Sequence, residues 1–247
     1  PAAAVMTTSV LAPAVSGVRP RAAVLLVGIP VLFLVLSTIG ALTESNIPGL
    51  PVVPLATLWA LPLDLWIRNV ATALTVGFVL VGGVLAPRPD RRCGAIASMA
   101  ALVWLVALLA QSVLTVSEVL ALPLRTSVDP TIVWSLLTQT TLGRVMLLQF
   151  LLVAIVGVLS WVILDRVTGS ILLALALIAA FLPGFNGHSG INDGHSSATI
   201  SLGLHIVAAS VWVGGLVATV NYAHRHGGDA ASVIRRFSLL ALICVIV

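Results

Sequence analysis

The chain has 247 residues, 60% of them hydrophobic and only 8% charged, with a mean hydropathy of +1.17. A soluble domain carries about a quarter charged residues, so this balance excludes a water-borne fold and makes the bilayer the solvent. The net charge is +4, but all 12 cationic residues are arginines set singly or in short groups between apolar runs, which excludes a nucleic-acid surface.

Residues 1–20 are rich in Ala, Val, Pro and Ser. The first long apolar run follows Arg19 and Arg21 and ends at Thr43-Glu44-Ser45 without a small-residue cleavage site, so it reads as an anchor rather than a removed signal. A helix needs about 20 apolar residues to cross the hydrocarbon core. Runs at 22–42, 66–86, 95–116, 143–164, 168–184 and 199–222 meet or approach that length, and another begins near 236 and stops with Val247. The expected fold is all-α: a polytopic transmembrane bundle of about seven spans, the last truncated, in a polypeptide that continues. Residues 1–21 form a tail, 22–139 the first three spans with their loops, and 140–247 the remainder.

Between the first two runs, segment 47–63 carries Pro48, Pro51, Pro54 and Pro62 and reads as too broken to span, lying against the outer face. Asp129-Pro130 is a helix start: a capping carboxylate, then a residue that needs no N–H partner. It predicts a short interfacial helix through Trp134, after which Thr140 or Thr141 caps the fourth span. Pro183-Gly184 ends the fifth.

Arginines assigned to alternate loops give an orientation. Arg19, Arg21, Arg88, Arg91, Arg92, Arg166, Arg225, Arg235 and Arg236 fall on one side, and Arg68, Arg125 and Arg144 on the other. Positive charge is retained in the cytoplasm. The amino terminus is therefore expected inside, in a plasma (inner) membrane, with loops 43–65, 117–142 and 185–198 outside.

Cys93 and Cys244 are far apart and form neither a disulfide framework nor a thiolate site. All five histidines fall late: His188, His195, His205, His224 and His226. His224 and His226, at the basic end of the sixth run, read as cations suited to a helix C-terminus. His188 and His195 sit in the Gly/Asn/Asp-rich segment Asn186–Ser196, which can turn tightly enough to bring two imidazoles together. His205 follows within the sixth run, where a buried imidazole needs partners. One reading makes His205 a hydrogen-bonding residue and the loop histidines merely solvated. The other is a metal site at the outer mouth, with His188, His195 and His205 as ligands and Asp193 and Met146 assisting; imidazole suits copper or zinc, and thioether sulfur favours Cu(I).

His205, Ala209 and Trp212 share a helix face, while Gly214 and Ala218 form a small-xxx-small pair. The histidine face is thus expected to be the packing face, with Trp212 packed or cavity-lining. Arg144 reads as a snorkelling residue or a partner of Glu118 or Asp193, and Asp64 and Arg68 as an i, i+4 pair at the top of the second span.

Thr141-Leu142-Gly143-Arg144, the Gly-His-Ser elements at Gly187 and Gly194, and His205 with Ala208-Ala209 and Trp212-Val213-Gly214-Gly215-Leu216 together resemble the copper-resistance D membrane family (CopD, PcoD and YcnJ type) over residues 140–247. The resemblance implies copper as the ion, moved across or handled at the inner membrane. It also implies partners: a periplasmic copper chaperone, or a C-terminal CtaG-like oxidase-assembly domain, to which some members are fused. Sparse methionine departs from many copper transporters. Two other readings stand beside it, a haem-binding membrane cytochrome, for which only His205 lies within a span, and a metal-free assembly partner of a respiratory oxidase. No nucleotide loop, HExxH or nucleophile triad is present, so no enzyme is expected.

Overall fold

The computed structural model describes residues 20–40, 52–162, 165–186 and 196–246, and every regular element among them is helical. The chain divides into two units, Pro1–Thr43 and Glu44–Val247. In the first, α1 spans Pro20–Thr38. The second opens with α2 (Leu55–Val79), prolonged by a π-helical turn at Leu80–Leu85. Then come α3 (Arg91–Leu120), the short α4 (Leu124–Ser127) and α5 (Pro130–Gln139), α6 (Thr141–Val162) and α7 (Arg166–Phe181), which closes in a 3-10 turn at Leu182–Asn186. A rod follows, made of α8 (Ser196–Ala209), a π turn at Ser210–Gly214 and α9 (Gly215–His226); α10 spans Ala231–Ile246.

Among the described residues, five helical stretches are long and apolar enough to cross a membrane: Leu55–Leu85, Arg91–Leu120, Thr141–Val162, Arg166–Phe185 and Ile200–His226. The protein is a multi-pass, all-α membrane protein. The predicted local signals hold where capping chemistry sets them. Asp129 accepts the Thr131 N–H at 2.8 Å to start α5, and the Thr140 hydroxyl accepts the Gly143 N–H at 2.9 Å to start α6. The fifth predicted span ends at the expected Pro183-Gly184 break.

The expectation that segment 47–63 is too broken to join a span is corrected from Leu55 onward, where the chain is already α2. Pro54 precedes the helix, and its carbonyl accepts the N–H groups of Thr57 and Leu58 at 2.9 and 3.2 Å. Pro62 lies inside the helix and withholds one donor. The first turn is nonetheless pinned to α3, because the Thr57 and Ser117 hydroxyls meet at 2.6 Å in a buried pair. Leu55–Leu85 has 31 residues, or about 46 Å at the usual helical rise, longer than the roughly 30 Å hydrocarbon core.

Side-chain pairs fix the directions. Thr57 meets Ser117 and Arg68 meets Gln111, so α2 and α3 are antiparallel. The Gln149 amide donates to the Ala179 carbonyl at 2.9 Å across antiparallel α6 and α7. Gly214 packs on Ala73 and Gly77, and Arg225 reaches Asp90, so the α8–α9 rod runs parallel to α2. One end of the bundle thus gathers Arg88, Arg91, Arg92, Arg166, Arg225, Arg235 and Arg236.

At that arginine-rich end the turn between α2 and α3 is held from three sides. Arg166 donates to the carbonyls of Ala86 and Pro87, each at 3.3 Å, and Arg236 to that of Leu85 at 3.1 Å. These are the acceptors a helix terminus leaves without intrahelical donors. Asp90 then caps α3 through the N–H groups of Arg92 (2.8 Å) and Cys93 (3.3 Å).

Close approach elsewhere depends on small residues. Gly77 on α2 faces Gly214 on the rod, Gly83 faces Gly169 on α7, and a Cβ on Gly77, Gly214 or Gly169 would overlap the opposing backbone. In a membrane this contact is driven by van der Waals packing, which requires the backbones to touch. Replacing Gly77 or Gly214 by Leu should lower the thermal midpoint of the detergent-purified protein, with a destabilisation of at least about 1–3 kcal/mol as typical of overpacking. Leu at Gly227, where no atom would come within 4 Å of a Cβ but φ is +50°, should cost less; equal midpoints for all three variants would contradict the contact.

Candidate functional site

Of the predicted ligands, His188, Asp193 and His195 lie outside the described residues. His205 and Met146 are described, and they differ. Met146 is buried at the start of α6, whereas His205 is exposed on α8. Helices α6 and α8 each pack on α7 and have little or no contact with one another. Among the described residues no three His, Cys, Asp or Glu side chains form a group that could hold a metal.

The expectation that the histidine face is the packing face is corrected. Buried positions of the rod include Gly203, Ala208, Ser210, Gly214, Gly215, Ala218, Thr219 and Tyr222, while His205 and Trp212 are exposed, Trp212 by 46%. Gly214 makes the close contact expected of it, and Ala218 is buried in the core one turn on. Gly214 is buried in the seam and His205 is exposed, so the histidine does not lie on the packed face. Trp212 accordingly faces outward rather than lining a cavity.

A second polar region lies between α2 and α3. Thr57, Asp64, Arg68, Thr72 and Thr75 form a buried stripe on α2, which meets α3 through Gln111 and Ser117. Asp64 is 7% exposed and Arg68 8%. The two do not make the predicted ion pair: Arg68 donates to Gln111 Oε1 at 2.9 Å and to Asn69 Oδ1 at 3.1 Å, and the ion pairs among the described residues lie at Asp90. Asp64 Oδ2 is buried with no hydrogen-bond donor, as is the Trp104 indole Nε1 with no acceptor. The only other such atoms among the described residues are the hydroxyls of Ser160 and Thr219. Gln111, a lone amide in the apolar α3 run, is the feature of the sequence that marks this interface.

Arg144 is exposed and its Nε donates to the Thr138 carbonyl at 3.0 Å, a local anchor rather than a bridge to Glu118. At the other end, His226 is more than a solvated cation. It stacks on Tyr222 with centroids 4.0 Å apart, and its Nε2 lies 3.9 Å from Asp90 Oδ2, the oxygen that Arg225 holds at 2.8 Å. Burial opposes ionisation of Asp90, but the Arg225 hydrogen bond, the Cys93 N–H, the Arg225 charge and the Arg92 N–H outweigh it and hold the carboxyl below its usual range.

A folded-state value depressed in this way gives stability that is complete above the unfolded carboxyl value, about 3.9, and is lost as pH falls through the folded value. Asp90→Asn keeps a capping oxygen and removes the charge. It should lower the thermal midpoint at neutral pH, and the gap to the unsubstituted protein should close on acidification. Asp90→Ala should cost about 1 kcal/mol more, the usual contribution of a helix cap.

The family described as copper resistance protein D-like, N-terminal domain, matches residues 55–199 of the chain. That span contains His188, Asp193, His195, Met146, Asp64, Arg68 and Gln111, and stops short of His205. No curated protein and no solved structure matches the chain.

Proposed function

The chain belongs to the copper resistance protein D-like family, and from that membership we propose that it handles copper at the plasma membrane through histidines opposite the arginine-rich end. The observation that carries the reading is the family match across the α2–α7 bundle and the loop beyond it. Arginine asymmetry supports a cytoplasmic location for the turns holding Arg88, Arg91, Arg92, Arg166, Arg235 and Arg236, with the amino terminus on the same side. The segment with His188 and His195, which precedes α8 in sequence, belongs to the outward side in this reading.

In this reading His188 and His195 capture the ion, assisted by Asp193, and His205 receives it on α8; Met146, buried on α6, is the weakest member of the set. Neutral imidazole suits Cu(I) and Cu(II) alike, and copper is cargo, so no catalytic step is assigned. A periplasmic chaperone or a following CtaG-like domain would serve as donor or acceptor.

Metal analysis of protein purified from copper-replete membranes tests the reading. Bound copper and copper-dependent accumulation should be nearly abolished in His188→Ala/His195→Ala/His205→Ala and strongly reduced in His205→Ala. Unchanged copper in a well-expressed triple variant would sink the proposal.

A further inference from the structure

The buried stripe between α2 and α3 contains one ionisable acid that no contact among the described residues satisfies. Asp64 is more than nine-tenths buried on a membrane-crossing helix, and its Oδ2 has no donor. Ionisable residues at such depth are costly and are kept where a charge or proton has work to do. Its natural counter-charge, Arg68, is turned toward Gln111 and Asn69 instead. A single proton would satisfy the carboxyl, whereas a metal cation would have to sit beside the Arg68 guanidinium.

The charge environment is simple. Ionisable groups on the elements packed against α2 stand at the helix ends: Glu118 exposed at one end of α3 with Arg91, Arg92 and Cys93 at the other, Arg166 at the start of α7, and Tyr222, His224, Arg225 and His226 at the close of α9. The π turn at Ser210–Gly214 carries none. Arg68 is therefore the one charged group facing Asp64 among the described residues.

Access is one-sided. From Asp64 toward the start of α2, the interface holds the buried hydroxyl pair of Thr57 and Ser117, the latter donating onward to the Leu122 carbonyl at 2.7 Å. In the other direction the Thr72 and Thr75 hydroxyls are bound to the carbonyls of Arg68 and Ala71, and beyond them α2 buries Val76, Val79 and Leu80 in an apolar cluster. The polar stripe ends at Thr75, about two-thirds of the way along Leu55–Leu85.

We propose that Asp64 is a proton-binding site of the α2–α3 interface, reached from the end opposite the arginine-rich one, and that its protonation couples copper handling to the pH of that side. The coupling rests on the copper reading; the proton site does not. Taking up the proton removes the charge of the buried carboxylate, the costly part of its burial, and leaves Arg68 as an uncompensated cation in the same interface.

Infrared difference spectra of the reconstituted protein between neutral and acidic buffer read the proton directly. The carbonyl band of a buried carboxylic acid should appear on acidification, vanish in Asp64→Asn and return at a shifted frequency in Asp64→Glu, with thermal midpoints establishing that both variants fold. A band that persists in Asp64→Asn, or is absent from the unsubstituted protein, overturns the site. In proteoliposomes, the pH profile of copper uptake should shift in Asp64→Asn, leaving only the dependence that histidine ligation itself imposes; a profile identical to that of the unsubstituted protein overturns the coupling. If no form moves or binds copper while the band behaves as expected, the copper reading falls, the coupling falls with it and the proton site stands.

Discussion

A polar group that leaves water for hydrocarbon must find its partner inside the protein, and this constraint organises the bundle more than apolar attraction does, since lipid is as apolar as leucine. Its clearest expression is the turn from Leu85 to Cys93. Two helix ends meet there, one short of donors and the other of acceptors. Arginines from α7 and α10 reach back to the first, and Asp90 serves the second while holding Arg225 of α9. Arginines that look like a simple charge bias therefore also carry specific bonds. Each ties a helix distant in sequence to the same short turn.

With the polar ends satisfied, the spans are free to approach as closely as their side chains permit. Gly77 against Gly214 and Gly83 against Gly169 bring backbones into direct contact at two levels of α2. Helix α2 is accordingly the axis of the unit, packed on α3, α7 and the α8–α9 rod. A central helix has little lipid-facing surface, and that is why it can carry Asp64, Arg68 and three buried threonines where an outer helix would expose them to hydrocarbon.

Which parts of this were legible depends on whether the determinant is local. Span existence, the Asp129 and Thr140 caps and the break at Pro183 depend on residues a few positions apart, and the sequence displays them directly. The early start of α2 depends on Ser117, 60 positions from Thr57, so proline count alone misjudged it. The misassigned histidine face is a different case. The π turn at Ser210–Gly214 changes the phase between His205 and Gly214, and a sequence read with a uniform helical period does not show it. The Asp64–Arg68 spacing was read correctly as one face, but spacing does not reveal that Gln111 and Asn69 compete for the guanidinium.

Height and direction together separate the two candidate sites. Gly214 packs on Ala73, and α2 and the rod run the same way, so stepping nine residues back from each contact leads to His205 on one helix and Asp64 on the other, roughly 13 Å from the seam along each axis. The two residues thus stand at comparable depth. They point differently, Asp64 into the α2–α3 interface and His205 away from the packed seam. The glycine seam, where α2 and the rod share backbone contact, and α7, which packs on both α2 and α8, are the structural connections between these two positions.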